Sequence, residues 1–306
     1  MPSLQSRLFV FAMRNRHLLQ GKLKPQPPID WNTSMVALRA ETEKGTGLMG
    51  KLPDDIAIEP VQIGDLYAEW VTPRGAARDK VILYFHGGGY VIGSCLGHRP
   101  IVAKFVKNSG TPALVFNYGL APEKPFPAGL NDAVAAYQWL LKQGTTPKKV
   151  VFVGDSAGGG LCLATLLALR DQNIPLPGGA VAMSPWTDLK NTGQSYETNQ
   201  KVDTLTWRGS QEVFSKYYVG NQDPGNPWIS PLYGDLHGLP PLQLYVGNDE
   251  LLRDDSTRFA EKAQAAGVEV KLTVGEGLFH CYPACAPLFP EAVRDMNEIC
   301  AFIRQI

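Results

Sequence analysis

The chain reads as an α/β protein in which a mainly parallel sheet of eight strands carries helices on both faces and a helical cap. Three observations lead there. Short apolar runs alternate with helical patterns along most of the length, the rhythm of strand–helix–strand crossovers. One β-branched run, Val150-Val-Phe-Val153, passes through Gly154-Asp155-Ser156 into an apolar helical pattern, Leu161 to Arg170. With 306 residues, 44% of them apolar, the chain can cover both faces of such a sheet within one large domain.

Strands are expected at 57–61, 66–72, 80–85, 112–118, 149–154, 178–184, 241–247 and 268–274. The third is the run Lys80-Val-Ile-Leu-Tyr-Phe85, the seventh is built on Leu242-Gln-Leu-Tyr-Val246, and the eighth alternates apolar and polar residues. Helical patterns lie between the later strands, at 98–109, 129–143, 156–170, 254–267 and 286–304. Right-handed crossovers in such a sheet gather the connecting loops at its carboxyl edge, where ligands bind in doubly wound folds.

Composition removes several functions. Lys and Arg together number 29, as do Asp and Glu, so there is no net positive footprint for nucleic acid. Cys95, Cys162, Cys281, Cys285 and Cys300 form neither a zinc-type pair of pairs nor an even disulfide framework, and read as free thiols of a cytoplasmic protein. The apolar patch Leu8 to Met13, between Arg7 and Arg14, is too short for a signal-peptide core or a membrane span, so no stable membrane insertion is expected.

The chemistry centres on Ser156. A serine hydroxyl is a weak nucleophile until a base reaches it, and a tight strand-to-helix turn flanked by Gly154 and Gly158 presents Oγ for that purpose. Side chains at 154 and 158 would collide with the neighbouring strand and helix. Upstream, the third strand runs into His86-Gly-Gly-Gly-Tyr90, whose bare amides can converge on one anionic oxygen.

With both motifs in hand, the chain resembles the hormone-sensitive-lipase-like esterases of the α/β-hydrolase superfamily, the bacterial family IV group marked by HGGG and GDSAGG. The resemblance extends through Tyr118-Gly-Leu-Ala-Pro-Glu-Lys-Pro-Phe-Pro-Ala128 and Ser184-Pro-Trp-Thr-Asp-Leu189, covering roughly residues 70 to 304. Gly119 departs from it, standing where the family usually has arginine. The resemblance implies the α/β-hydrolase fold, a serine carboxylesterase acting on short to medium acyl esters, and an oxyanion hole made by the amides of Gly88, Gly89 and Ala157. It also implies chemistry that needs no metal or organic cofactor.

The fold runs in the order serine, acid, histidine, so the partners of Ser156 lie downstream. Of the two downstream histidines, His237 sits in a polar loop before a strand, whereas His280 follows the last strand and the turn Gly275 to Phe279, where the base belongs. His237, His98 and His86 read as structural. Family members show a Pro-Pro pair, a strand, and an acid followed by Leu-Arg-Asp; laying Pro240-Pro241 and Leu252-Arg253-Asp254 on that pattern without gaps puts Glu250 at the acid position. Asp249 is the alternative, because aspartate is the commoner acid and a one-residue shift exchanges the two. Asp254 and Asp255 read as caps of the following helix, where carboxylates meet unpaired amides. Asp155, beside the nucleophile on the elbow, reads as a hydrogen-bonding support, and Asp188 and Trp186 as supports for the end of the sixth strand, with Trp186 also a candidate for the acyl pocket. Cys281, next to the base, reads as a small buried residue.

Two segments fall outside the alternation. Residues 1–50 carry an amphipathic stretch with Leu4, Leu8 and Phe11 beside Arg7, Arg14 and Arg16, and residues 190–230 hold Phe214, Tyr217 and Tyr218 on a further helix. In the resembling family such segments cover the pocket, so the expected organisation is an N-terminal cap segment at 1–50 and a catalytic domain at 51–306 with a cap insert at about 190–230. The first helix also suits a membrane surface. A lactone hydrolase with the same triad, and a ligand receptor of the gibberellin-receptor type, are the other readings; His280 speaks against the receptor, which lacks that histidine. A homodimer paired through Val268 to Val274 is expected from the alternating edge strand.

Overall fold

The computed structural model describes residues 2–15, 18, 27–46, 52–206 and 208–306. Eight strands form one sheet: β1 (Ile56–Ile63), β2 (Leu66–Pro73), β3 (Val81–Phe85), β4 (Ala113–Phe116), β5 (Val150–Asp155), β6 (Gly179–Met183), β7 (Leu242–Gly247) and β8 (Val270–Gly275). Their order is β1-β2-β4-β3-β5-β6-β7-β8. The hairpin β1–β2 and the β2–β4 pair are antiparallel, and every later neighbour is parallel. Every residue of β3, β4, β5 and β6 is buried, as expected of parallel strands covered on both faces.

The α-helices among the described residues are α1 (Leu4–Arg14), α2 (Met35–Thr46), α3 (Cys95–Ser109), α4 (Ala128–Lys142), α5 (Ala157–Asp171), α6 (Ser195–Thr198), α7 (Ser210–Val219), α8 (Arg253–Ala265) and α9 (Pro290–Gln305). One core lies between the sheet and α4, α5 and α8, with Phe85, Phe152, Leu166 and Phe259 at its centre. The other lies beneath α3 and α9, with Tyr84, Phe105, Val153 and Met296. Residues 157–169 of α5 are all buried, so this helix is apolar around its circumference rather than along one stripe.

The turn from β5 to α5 positions everything that follows. Ser156 takes φ 56° and ψ −126°, a backbone state that side chains rarely adopt, and α5 begins at the next residue. A Cβ on Gly154 would meet the Gly158 carbonyl oxygen at 2.5 Å, and one on Gly158 would overlap the backbone oxygens of Phe85 and His86. The elbow and the glycine loop after β3 are thus in backbone contact, which only glycine permits.

The segments outside the alternation meet one another. Ile29 donates its amide to the Arg208 carbonyl (2.8 Å), and the Trp31 ring meets Tyr217 edge-on at 5.8 Å. Arg14 reaches the Val202 carbonyl (3.4 Å). In α2, Arg39 donates to the Val91 carbonyl and the Ala121 carbonyl, each at 2.7 Å, and pairs with both oxygens of Glu123. Arg16, counted with the first amphipathic stretch, lies outside the described residues.

The expected caps of α8 are corrected. Asp254 and Asp255 lie in its first turn, but neither side chain caps it. The Asp255 carboxylate instead accepts the amides of Thr187 and Asp188, both at 2.8 Å, and Asp254 accepts the amide of Ser195 (2.9 Å). Amides of the chain after β6 reach these carboxylates because that segment folds back over the start of α8.

Gly158→Ala forces a methyl group into two backbone carbonyls that cannot swing aside. It is expected to lower stability by about 1–3 kcal/mol or to prevent folding, read as a fall in the urea midpoint at unchanged slope.

Candidate active site

At the carboxyl edge of the sheet, Ser156, His280, Gly88 and Gly89 line one cavity of about 260 Å³. Ile92, Trp186, Leu205, Phe214 and Leu252 supply its apolar wall. Ser156 sits on the β5–α5 elbow with its own carbonyl accepting the amides of Gly160 and Trp186, both at 3.1 Å. The amide of Ala157 heads α5, where N–H groups have no helical partner. Gly88 and Gly89 lie in the loop after β3 with φ of 121° and 61°, and the Gly88 carbonyl is turned to accept from Val91 and Ile92. Among the described residues, the amides of Gly88, Gly89 and Ala157 donate to no protein group.

His280 follows β8. Its Nδ1 lies 3.1 Å from Oε1 of Glu250, whose side chain is fully buried. Oε2 of the same carboxylate accepts Ser184 Oγ and the Gly247 amide, each at 2.8 Å, so three donors surround one glutamate. Burial by itself would lower the His280 pKa, but the adjacent Cys281 sulfur and the Glu250 carboxylate hold it well above the ordinary imidazole value. Asp249 is placed differently. Its amide bonds the Leu278 carbonyl (2.9 Å), and its carboxylate faces Arg14 at 3.7 Å on the part-exposed side of the loop.

Beneath the elbow, Asp155 Oδ1 accepts the Tyr84 hydroxyl (2.7 Å) and the Gly87 amide (3.0 Å), while Oδ2 lies 3.7 Å from His98 Nε2. Burial alone would raise this carboxyl, but attraction to the nearby His98 ring and the hydrogen bond from Tyr84 keep it below its usual value. His98 is shifted upward: burial opposes its charge and Asp155 more than restores it. The two read as an ion pair that ties the elbow to the first turn of α3, while the Gly87 amide ties it to the glycine loop. His86 is buried with Nδ1 against the Gly87 carbonyl (2.8 Å), its ring stacks on Tyr118 at 4.2 Å, and burial and the nearby His98 lower its pKa to about 3. It therefore remains neutral at working pH. His237 pairs with Asp235 in an exposed loop.

Trp186 lines the cavity, while Asp188 is wholly buried and holds the loop beyond it through the Lys190 and Thr192 amides, both at 3.0 Å. Cys281 is a correction: it is only part-buried and lines the cavity beside His280. In place of arginine, Gly119 gives its amide to Asp132 (2.7 Å).

Three contributors were not assigned from sequence. Ser184, at φ 48°, donates to Glu250 and accepts the Cys281 amide (2.8 Å), bracing both halves of the His–Glu pair. Its place directly after β6 was the available signal. Asn199, from the insert, gives Nδ2 to the carbonyls of Asn248 and Glu250, both at 2.9 Å. Gln211 lines the cavity with a buried Nε2 that has no partner among the described residues. Neither residue belongs to a motif. Among the described residues there is no group of three His, Cys, Asp or Glu arranged to hold a metal ion.

Residues 82–284 match the model of a family described by the α/β hydrolase fold. A solved esterase of the bacterial hormone-sensitive lipase family is 38% identical, with a TM-score of 0.89 over 100% of this chain and 99% of its own. The chain belongs to the hormone-sensitive-lipase-like esterases. This esterase is also similar to the structure of EstE5 soaked with p-nitrophenyl butyrate, at 38% identity, TM-score 0.90 and coverage of 99% and 98%. Among curated relatives, an acetyl-hydrolase of Streptomyces hygroscopicus is 40% identical over 263 residues, 86% of each chain. An esterase of Acinetobacter venetianus is 34% identical over 276 residues, 90% of each. The protein is a serine carboxylesterase, and these likenesses do not favour lactone hydrolysis.

Because Glu250 favours the charged imidazole, the His280 ring is expected to lose its proton only above the ordinary histidine value. In Glu250→Gln the midpoint moves to lower pH, whereas Asp249→Asn leaves it in place. Nuclear magnetic resonance titration of the ring resonance reads both, and an unmoved midpoint in Glu250→Gln excludes the carboxylate as the cause.

Proposed function

We propose that Ser156 is the nucleophile, His280 the general base, Glu250 its carboxylate partner, and the amides of Gly88, Gly89 and Ala157 the oxyanion hole. The observation that carries this reading is the pairing of His280 Nδ1 with buried Glu250 in the cavity that also holds Ser156. With Nδ1 engaged, Nε2 is the nitrogen left to take the serine proton. Oγ then attacks the ester carbonyl, and the negative charge that develops on its oxygen meets three amides that have no competing protein acceptor. His280 next protonates the departing alkoxide, and water activated by the same ring releases the acyl group from Ser156. Glu250 fixes the tautomer and stabilises the imidazolium.

The substrate class is an ester with a short to medium acyl chain. A cavity of about 260 Å³ closed by Phe214, Trp186 and Leu252 has room for few methylenes beyond the carbonyl. Residues 1–50 and about 190–230 act as the cap that closes it, supported by the Ile29–Arg208 and Trp31–Tyr217 contacts. The protein works in the cytoplasm, where its five free cysteines stay reduced; no helix among the described residues is long and apolar enough to cross a membrane. Two copies pair through β8, which hydrogen-bonds only β7 within the described residues and exposes Val274. Light scattering that gives a monomer mass at assay concentrations removes the dimer.

Ser156→Ala is expected to reduce kcat on p-nitrophenyl acetate by about 10⁴-fold or more and Glu250→Gln by about 10²–10⁴-fold, with Asp249→Asn within a few-fold of wild type. Full activity in Ser156→Ala would falsify the assignment. The acid limb of kcat/KM follows the His280 proton: activity falls as pH drops through a value above the ordinary imidazole one. Phe214→Ala opens the cavity next to Gly89, so the optimum among p-nitrophenyl esters is expected to move to a longer acyl chain; an unchanged optimum shows that Phe214 does not end the pocket.

A further inference from the structure

Three consecutive residues of the loop after β3 have positive φ: Gly88 at 121°, Gly89 at 61° and Tyr90 at 63°. Glycine accepts that region freely, but tyrosine does not, and such a run persists only where contacts from outside the loop impose it. Those contacts are in place. The Tyr90 carbonyl accepts the Ala121 amide (2.9 Å), the Tyr90 ring stacks on Tyr218 at 3.8 Å, and the Val91 carbonyl accepts Nε of Arg39 (2.7 Å).

Arg39 stands on α2, well before the loop in sequence, and its guanidinium meets three acceptor groups at once. Besides the Val91 bond, Nη2 donates to the Ala121 carbonyl (2.7 Å), and Nη1 and Nη2 bind the two oxygens of Glu123 (2.9 and 2.7 Å). The bonds to the two carbonyls are part-buried, whereas the pair with Glu123 is exposed. A rigid planar fork thus sets the spacing between the loop after β3 and the segment at 121–123, which a single charge on a flexible stem would not do.

The clamp leads to the glycine amides. In a trans peptide the carbonyl and the N–H point in opposite directions, and the peptides within residues 86–92 are trans. The Gly87 carbonyl faces His86 Nδ1 (2.8 Å), which sets the direction of the Gly88 N–H. The Gly88 carbonyl accepts the amides of Val91 (3.1 Å) and Ile92 (3.0 Å), which sets the direction of the Gly89 N–H. The buried His86 ring holds the first of these. The second depends on where Val91 sits, and Val91 is the residue that Arg39 holds. We propose that Arg39 is a positioning residue for the oxyanion hole: by fixing Val91 it fixes the Gly88 carbonyl, and through that peptide the Gly89 N–H. The inference rests on the reading of Gly88 and Gly89 as oxyanion donors, and it gives α2 a part in the chemistry beyond covering the pocket.

The test compares wild type with Arg39→Met, Arg39→Lys and Glu123→Gln on p-nitrophenyl acetate, butyrate and hexanoate. It also measures binding of an alkyl trifluoromethyl ketone, whose carbonyl carbon takes Ser156 Oγ while the serine proton passes to His280, leaving an anionic oxygen. Arg39→Met is expected to lose kcat by about 10–100-fold, less than the 10²–10³-fold, roughly, that a deleted oxyanion donor costs. The factor is the same at every acyl length, KM stays within about twofold, and ketone affinity falls in parallel. Arg39→Lys, which keeps the charge without the fork, falls between Arg39→Met and wild type, and carries the test by itself if Arg39→Met does not fold. Glu123→Gln, which leaves both carbonyl bonds, stays within a few-fold of wild type. Arg39→Met and Arg39→Lys variants that keep wild-type kcat and ketone affinity overturn the inference, while wild type binding the trifluoromethyl ketone far more tightly than the matching methyl ketone leaves the site reading standing. A wild type that binds the two ketones alike overturns that reading and the inference with it. A loss confined to KM, or a moved acyl optimum, overturns the inference in favour of a pocket-wall role for Arg39, and a Glu123→Gln variant as impaired as Arg39→Met overturns it in favour of the exposed ion pair.

Discussion

The backbone contact between the β5–α5 elbow and the loop after β3 is the constraint on which the active site depends. Ser156 is held at positive φ, and Gly158 packs against the carbonyl oxygens of Phe85 and His86 with no room for a side chain. That approach brings the start of α5 close to the loop that carries Gly88 and Gly89, and Ser156, Gly88 and Gly89 line one cavity. A strained serine is tolerated because β5 is fully buried between β3 and β6, and residues 157–169 of α5 are buried behind it. The proposed oxyanion hole therefore rests on the buried central sheet, which holds its amides in place before substrate arrives.

Buried carboxyl groups are arranged around this contact in three places, each tying one loop to another. Asp155 links the elbow to Gly87, Tyr84 and His98. Glu250 links the loop after β7 to Ser184 after β6 and to His280 after β8. Asp255 links the start of α8 to the chain after β6. A carboxylate in such a place costs free energy unless several donors meet it, and each here accepts at least two hydrogen bonds. The loops at the carboxyl edge are therefore ordered by polar bonds, while the strands beneath them are ordered by apolar packing.

Asp155 and Glu250 are both buried acids near a histidine, but their surroundings separate them. Asp155 faces inward to His98 under the elbow, whereas Glu250 faces a histidine that opens onto the cavity. The same residue types thus serve support in one place and proposed chemistry in the other, and position on the sheet edge makes the difference.

Much of this was legible in the chain itself. Eight strands were readable because buried parallel strands leave apolar runs bounded by turn residues, and the elbow because a strand-to-helix turn at a serine demands glycines at 154 and 158. The order serine, acid, histidine limited the base to His280, since His237 lies before β7. What local pattern cannot carry is which groups from distant segments meet. Glu250 and Asp249 are adjacent in sequence, and the course of the loop after β7 turns the first toward His280 and the second toward Arg14. Asp254 and Asp255 have the local signature of caps, yet amides of the chain after β6 reach them instead. Asn199 and Gln211 belong to no motif, and Ser184 stands in a recognised segment that does not announce its partners; all three gain their positions from chain folding over the sheet edge. Strand, helix and turn follow from neighbours a few residues away, and these the sequence determined; partners of buried polar groups follow from satisfying donors and acceptors across the whole molecule, and these the tertiary structure decided.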